Sequence, residues 1–294
     1  MQGTLNTRDI GGYPTNDGLI VVKGRLYRSA NLAQITLEDI NTLIKLGIST
    51  VVDFRGPKEA SSEPDHLPPG TEYLNAPIIG NDHGDEINDE VISALIKNCQ
   101  LPASMLNQEQ VAGHGPYYRM LYLVNCYGTE KHLAKLKKYR PFFQKLLDMP
   151  SSANMLFHCT GGRDRTGVAT ALLLKALAVP QSTIEADFIA SNRYLQPDSD
   201  NPDSLQFLQF QSANVFLQPS TNLYYQRVAE SFGTTPKVLR SAVELHPELL
   251  RRMFRVIDDY YGSFEDFLEK EMGVGPIERI RLKALYTEQP STRG

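Results

Sequence analysis

The chain has 294 residues, of which 41% are hydrophobic and 22% charged, a composition typical of ordinary globular proteins. Its net charge of -4 at pH 7 argues against a general nucleic-acid binder, so any attraction to phosphate must come from a local group of charges. The cysteines are odd in number and lack metal-type spacing, which argues against a disulfide framework and a zinc site: Cys99, Cys126 and Cys159.

The sequence has no pattern typical of membrane insertion or of a secretory signal. Its longest apolar stretch, 168–179, is interrupted by Lys175 and is too short to span a bilayer. No basic segment followed by an apolar segment opens the chain, so we expect a cytoplasmic protein without a transmembrane segment.

The first third of the chain alternates between strand and helix patterns. Residues 24–30 predict a strand that runs into a turn, and residues 49–56 and 71–78 predict two more. Between the first two strands, Thr36 can cap a helix that Gly47 ends. The apolar side chains expected on one face of this helix are Leu37, Ile40, Leu43 and Ile44.

The middle of the chain contains one short apolar strand followed by an apolar helix. Residues 117–147 predict helical structure, interrupted at Gly128 and Pro141. The strand is expected over 153–159. The helix after it, from about 166 to 178, is apolar nearly all round and is therefore expected to be buried.

The last third begins with an irregular segment and ends in helices. Residues 196–236 are rich in Gln, Ser, Asn and Pro, with apolar residues interleaved, and we expect either a mobile lid over the site or an insertion packed permanently beside the sheet. Helices are predicted at 247–261, from a cap at Ser263 to Gly273, and from Pro276. The whole order predicts a single α/β domain over 1–294, with a central sheet flanked by helices, a lid-like insertion and a helical tail over 237–294.

The segment "LFHCTGGRDRTG", residues 156–167, has the features of an anion-binding loop. A strand, a glycine turn and a buried helix allow successive backbone N–H groups from Thr160 to Arg165 to point inward, and the helix N-terminus adds partial positive charge. The phosphate-binding candidates are Cys159, Thr160, Gly161, Gly162, Arg163, Asp164 and Arg165. The pattern therefore predicts a phosphate site within the loop.

Cys159 is the candidate nucleophile of this loop. A thiol near Arg163 and Arg165 should ionise more easily than a free thiol, and the thiolate is the nucleophilic form. Arg165 can grip two oxygens of a tetrahedral oxyanion with its planar guanidinium. A lone cysteine is usually a small buried hydrophobe, which is how we interpret Cys99 and Cys126. A nucleotide-binding P-loop is excluded because its Lys-Ser/Thr ending is absent.

The signature segment resembles that of cysteine-dependent protein-tyrosine phosphatases. The chain is similar to the bacterial PtpB-like group, which includes the listerial LipA-type enzymes. The resemblance extends over nearly the whole sequence, in this order: "NTRDIGGY", "GRLYRSANL", "LGISTVVDFRG", "HCTGGRDRTG", "DFIASN" and "IDDYYGSFEDFLEKEMG". It implies an α/β phosphatase fold with a parallel-rich sheet, a phosphocysteine intermediate, and neither metal nor cofactor.

The resemblance also implies roles for residues around the loop. Cys159 would attack phosphorus, and Arg165 would bind the phosphate and stabilise the developing charge. Thr166 would donate its hydroxyl to the sulfur and make it a better leaving group. His158 would help to set the thiolate, although a satisfied core histidine is an equal interpretation.

The general acid has two candidates. The PtpB-like group resembles this chain in having an aspartate inside the signature loop, here Asp164, and we favour it over Asp82, which follows the third predicted strand. Asp53 is expected to be structural and to pair with Arg55 or Arg28.

Three functions are compatible with these residues. The first is a phosphatase for phosphotyrosine proteins, with phosphoserine and phosphothreonine as further substrates; the second is a phosphoinositide phosphatase. Group members commonly carry lysine in place of Arg163, and that lysine accompanies phosphoinositide activity, so the second is only weakly implied. The third, a non-catalytic phosphate-binding module, would be expected to lack Cys159 or Arg165, and both are present.

The sequence does not define an oligomeric state. Since the family includes secreted members, secretion from a longer precursor stays open.

Overall fold

The computed structural model describes residues 1–78, 130–195 and 245–290. Asp82 and the segment 196–236, which was predicted to form a lid, lie outside the described residues. Within these ranges the chain has the α/β architecture that the sequence predicts, with a mostly parallel sheet flanked by helices.

The main sheet has five strands in the order β1-β3-β6-β4-β5. The pairs β3/β6, β6/β4 and β4/β5 are parallel, whereas the edge strand β1 is antiparallel to β3. A second, two-stranded sheet pairs β2 with β7. The strands are β1 Arg8–Asp9, β2 Ile20–Val21, β3 Leu26–Ser29, β4 Ile48–Asp53, β5 Glu72–Asn75, β6 Asn154–His158 and β7 Thr287–Glu288.

Helices cover the sheet and form the C-terminal part of the described chain. They are α1 Leu37–Lys45, α2 Pro57–Ser62, α3 Glu130–Leu136, α4 Arg140–Asp148, α5 Asp164–Ala176, α6 Gln181–Ala190, α7 Pro247–Tyr261, α8 Phe264–Phe267 and α9 Pro276–Tyr286. Short 3-10 turns follow α3 and α6, and a π-helical turn, Leu268–Met272, follows α8. In the described part of the chain, no helix combines the length and the apolar character needed to cross a membrane.

The centre of the fold is the pair formed by β6 and α5. Strand β6 has a parallel neighbour on each side and is buried from its second residue onward. Helix α5 is buried on nearly all sides, which confirms the prediction from its apolar sequence. Because β6 leads into α5, the loop between them is anchored at both ends by buried elements.

The predicted helix termini are confirmed at several positions. Thr36 caps α1 by accepting from the Asp39 N–H, and Ser263 caps α8 in the same way through Asp266. Gly273 ends the turn after α8 in the left-handed conformation, at φ 68°. These signals are local, so the sequence alone was enough to place them.

The buried face of α1 differs from the prediction. Leu43 is buried, but Leu37 and Ile44 are 81% and 55% exposed. The helix is rotated toward Asp39, whose carboxylate accepts hydrogen bonds from the N–H groups of Gln2 and Gly3 at 2.7 and 2.6 Å. The N-terminal segment therefore packs against a polar side chain that the apolar pattern did not include.

Candidate active site

The loop from Cys159 to Arg163 connects the end of β6 to the start of α5, as predicted. Gly162 has φ +59°, and a Cβ at this position would lie 2.1 Å from the backbone oxygen of Ser29. Only glycine fits there, because the loop is pressed against the end of β3. The close approach fixes the loop relative to the sheet.

The Cys159 thiol is 3% exposed and lies beside the N-terminal turn of α5. Burial raises the pKa of this thiol, but the Arg165 guanidinium and the neighbouring Thr166 outweigh it, so the pKa is lower than the usual value. Asp164 opposes the shift. The sequence analysis also attributed the lowered pKa of Cys159 to Arg163. Arg163 is 2% exposed, and it is not among the groups that contribute most to the pKa shift of the thiol.

Arg165 is held by Glu59, a residue that the sequence analysis did not single out. Its Nη1 and Nη2 lie 2.7 and 2.9 Å from the two carboxylate oxygens, and Nη2 also donates to the Thr160 hydroxyl at 3.0 Å. Burial raises the pKa of Glu59, but Arg165 reverses this effect and the pKa falls to about 2. Glu59 is therefore a carboxylate at physiological pH, and it fixes the orientation of the guanidinium.

A local signal for Glu59 was present in the sequence. Pro57 opens α2, and Glu59 occupies the third helical position, where its carboxylate accepts from the Gly56 N–H at 2.9 Å. This capping pattern predicts a carboxylate at the start of a helix. It does not predict that the helix faces the loop of residues 159–163.

His158 is wholly buried between the loop and two carboxylates. Its Nδ1 is 3.1 Å from the Cys159 carbonyl oxygen, and its Nε2 is 3.1 Å from Asp65 Oδ2. Both neighbours are acceptors, which favours a proton on each ring nitrogen. Burial lowers the pKa of His158, but Asp65 and Asp53 outweigh it and raise the pKa. His158 is thus a buried residue that lies against two carboxylates and contacts the loop at the Cys159 carbonyl, while its effect on the thiolate stays a prediction.

Asp53 pairs with Arg55, one of its two expected partners, and not with Arg28. The Arg55 Nη2 lies 2.8 Å from both Asp53 Oδ2 and Asp65 Oδ2. Asp53, Asp65 and His158 are residue types that can bind a metal and lie close together. The guanidinium already supplies the positive charge between the two carboxylates, so the donor set does not fit a cation.

Asp164 and Thr166 occupy the first turn of α5, beside Cys159. Both act on the pKa of the thiol, Thr166 by lowering it and Asp164 by raising it, which places both close to the sulfur. The structure therefore brings together five of the predicted residues, namely His158, Cys159, Asp164, Arg165 and Thr166. Asp82 lies outside the described residues.

Comparisons with known proteins identify the family of the chain. A sequence model of the tyrosine phosphatase family matches residues 1–288. A protein of Cupriavidus necator whose name assigns it to the tyrosine-protein phosphatases is 30% identical over 92% of this chain and 82% of its own. The triple specificity protein phosphatase PtpB of Mycobacterium tuberculosis is 24% identical over 97% of both chains. Among solved structures, TpbA of P. aeruginosa has 16% identity over 77% of this chain and 90% of its own, with a TM-score of only 0.28. The chain belongs to the tyrosine phosphatase family and is a protein phosphatase.

Proposed function

We propose that the protein hydrolyses phosphotyrosine monoesters through a phosphocysteine intermediate on Cys159. The observation that carries the proposal is the position of Cys159, in a glycine loop between the end of β6 and the N-terminal turn of α5. Arg165 and Thr166 also lower the pKa of its thiol despite burial. A match to the tyrosine phosphatase family that runs from residue 1 to 288 supports a single catalytic domain.

In the first step the Cys159 thiolate attacks phosphorus and the bond to the tyrosine oxygen breaks. The ion pair with Glu59 uses the Nη1–Nη2 edge of the Arg165 guanidinium. We assign phosphate binding to the Nε edge, which binds two phosphoryl oxygens while Glu59 keeps its contact. The guanidinium is thereby oriented before substrate arrives, and it stabilises the charge that develops in the transition state.

The leaving phenolate needs a proton, and Asp164 is our candidate donor. It lies in the first turn of α5, close enough to Cys159 to act on the pKa of the thiol. Glu59 is the other carboxylate near Arg165, but its pKa of about 2 makes it a poor proton donor at physiological pH. Asp82, outside the described residues, is the alternative.

In the second step water attacks the phosphocysteine and the thiolate leaves. Thr166 lowers the pKa of Cys159, and a group that stabilises the thiolate also makes the sulfur a better leaving group, so we assign Thr166 to this step. Asp164, now deprotonated, accepts the proton of the attacking water. One carboxylate thus acts as acid and then as base.

Phosphoserine, phosphothreonine and phosphoinositides are the further substrates to consider. A relative that matches 97% of this chain is named a triple specificity phosphatase, which favours a broad range here. Arg163 is 2% exposed, so its guanidinium is not offered at the surface for a second phosphate. We therefore place phosphorylated proteins ahead of phosphoinositides.

A substrate panel tests the proposal. Purified protein is assayed for phosphate release from a phosphotyrosine peptide, a phosphoserine peptide and a soluble phosphoinositide, with Cys159→Ser as the blank and Cys126→Ser as the matched cysteine control. We expect the phosphotyrosine peptide to give the highest kcat/KM and Cys159→Ser to give no turnover. Activity that persists in Cys159→Ser would end the proposal.

A further inference from the structure

The backbone carbonyls of the loop are bound from outside by donors that do not belong to it. The Cys159 oxygen faces His158 Nδ1, and the Thr160 oxygen accepts from the Asn31 N–H at 3.1 Å. The Gly162 oxygen accepts from Asn6 Nδ2 and from Arg28 Nη2, both at 2.8 Å. Asn6 Nδ2 also reaches the Gly161 oxygen at 3.3 Å.

This arrangement determines where the loop N–H groups point. The peptide unit is planar and trans, so a carbonyl and the N–H of the next residue point in opposite directions. Carbonyls held outward at residues 159–162 therefore direct the N–H groups of residues 160–163 to the other side of the loop. An inward carbonyl would place an acceptor where a phosphate oxygen needs a donor.

The two glycine peptides are the ones that most need an external constraint. Among the described residues, no atom would lie within 4 Å of a Cβ at Gly161, so packing against them does not fix this residue, and Gly162 has the positive φ that glycine adopts freely. Peptide units flanked by glycines can rotate at little cost. Asn6 and Arg28 bind the carbonyls of these two residues.

Asn6 and Arg28 are themselves held by a buried network behind the loop. Arg28 is wholly buried, and its Nη1 lies 2.6 Å from Asp187 Oδ2. Arg8 contacts both the other Asp187 oxygen and the Asn6 side-chain oxygen. Asn6 and Arg8 come from "NTRDIGGY", and Asp187 comes from "DFIASN". Two segments that the chemistry does not use are thus joined behind the loop.

We propose that Asn6 and Arg28 are positioning residues that set the oxyanion affinity of the loop by holding the Gly161 and Gly162 carbonyls outward. The proposal rests on the proposed function, because it assumes that the loop binds phosphate. It separates two properties of the site: anion binding depends on the orientation of the peptide units, whereas the pKa of the thiol depends mainly on Arg165 and Thr166. Arg28 also interacts with the thiolate through its charge, which Arg28→Lys retains.

The test compares Asn6→Gly and Arg28→Lys with the parent. Asn6 has φ 57°, which glycine adopts without strain. Lysine at position 28 keeps a positive charge beside Asp187, but it lacks the second guanidinium nitrogen that donates to the Gly162 oxygen. The matched control is Asn154→Ala. Asn154 Nδ2 also donates to a backbone carbonyl, that of Leu46 at 2.8 Å, but at the opposite end of β6.

Two measurements on folded protein decide the matter. Calorimetric titration with tungstate, a stable oxyanion, gives the dissociation constant. Mass spectrometry of the Cys159 peptide gives the alkylation rates by iodoacetate, which is anionic, and by iodoacetamide, which is neutral. For both positioning variants we expect tungstate affinity to fall about tenfold, the equivalent of one hydrogen bond to a charged group. The iodoacetate-to-iodoacetamide ratio should fall as well, while the pH profile with iodoacetamide stays at its parental position.

Parental tungstate affinity in either folded variant would overturn the proposal, and so would a loss of equal size in Asn154→Ala. A shifted iodoacetamide profile in Asn6→Gly would overturn it too, because the contacts to the loop carbonyls would then also set the pKa of the thiol. These results leave the proposed function intact as long as the parent binds tungstate. If the parent itself binds no tungstate, the proposed function fails, and this inference fails with it.

Discussion

Replacing Asp65 with asparagine should destabilise the protein in a pH-dependent manner. The Asp65 carboxylate accepts from the Leu32 N–H at 2.8 Å and lies 2.8 Å from Arg55 and 3.1 Å from His158. With Asp53, the cluster contains two carboxylates, one guanidinium and one imidazole, and its charges cancel when the imidazole is protonated. Asp65→Asn keeps the shape and removes one negative charge, which leaves an excess of positive charge among buried groups.

The expected loss is about 3 kcal/mol, the lower end of the range for removing one partner of a buried ion pair. Arg55 and Asp65 are 1% and 2% exposed, so solvent screens the interaction little. At about 2–4 °C per kcal/mol, the melting temperature should fall by about 6–12 °C. Asp17→Asn is the matched control: Asp17 pairs with Lys283 at the surface, where a pair contributes less than about 1 kcal/mol.

The pH dependence follows from the two pKa shifts. Burial raises the pKa of Asp65, but the neighbouring cations outweigh it and hold the pKa below 3.8, so this group stabilises the fold above pH 3.8 and loses its effect as the pH falls through the folded pKa. The pKa of His158 is raised above 6.5, so its contribution is complete below pH 6.5 and is lost as the pH rises through the folded pKa. The difference between parent and Asp65→Asn should be largest between pH 4 and 6.5 and narrow at higher pH.

Melting curves recorded from pH 4 to 9 on parent, Asp65→Asn and Asp17→Asn test this reasoning. A deficit for Asp65→Asn no larger than that of Asp17→Asn would refute it. A deficit that is constant across the pH range would show that His158 is not an imidazolium.

Three further predictions concern catalysis. Arg165→Lys should lower kcat/KM for a phosphotyrosine peptide about 10²–10³-fold, because lysine cannot donate the paired hydrogen bonds of a planar guanidinium. Near-parental kinetics would show that a positive charge alone is enough to bind the phosphate. Glu59→Gln should raise KM and shift the iodoacetamide profile of Cys159 to lower pH, because Arg165 then acts on the thiolate without a competing carboxylate; an unchanged profile would count against this coupling. Asp164→Asn should slow phenyl phosphate far more than p-nitrophenyl phosphate, since only the poorer leaving group needs the proton; equal losses would transfer the acid role to Asp82.

The features that the sequence could predict are those encoded within a few residues. The strand, glycine turn and buried helix around Cys159 are contiguous, and helix caps such as Thr36 depend on a partner three residues away. The pairing of Asp53 with Arg55 spans only two residues. Local backbone preferences and side-chain chemistry are enough to place all of these.

The features that the sequence could not predict join residues that are far apart in the chain. Glu59 and Arg165 are separated by 106 positions, and Asn6 and Gly162 by 156. Such pairs depend on the order of strands in the sheet, which one sequence does not specify. The Arg28 partner is a further example: Asp53 was a reasonable candidate, but α6 brings Asp187 to it instead.

The central claim is that Cys159 carries the phosphoryl group during turnover. The direct test is to mix enzyme with a phosphotyrosine peptide, quench in acid within milliseconds, and map the added phosphate by mass spectrometry. The account predicts a phosphoryl group on the peptide that contains Cys159 in the parent and in Cys126→Ser, and none in Cys159→Ser. Phosphate on any other residue, or turnover of the peptide without a phosphorylated Cys159, would contradict it.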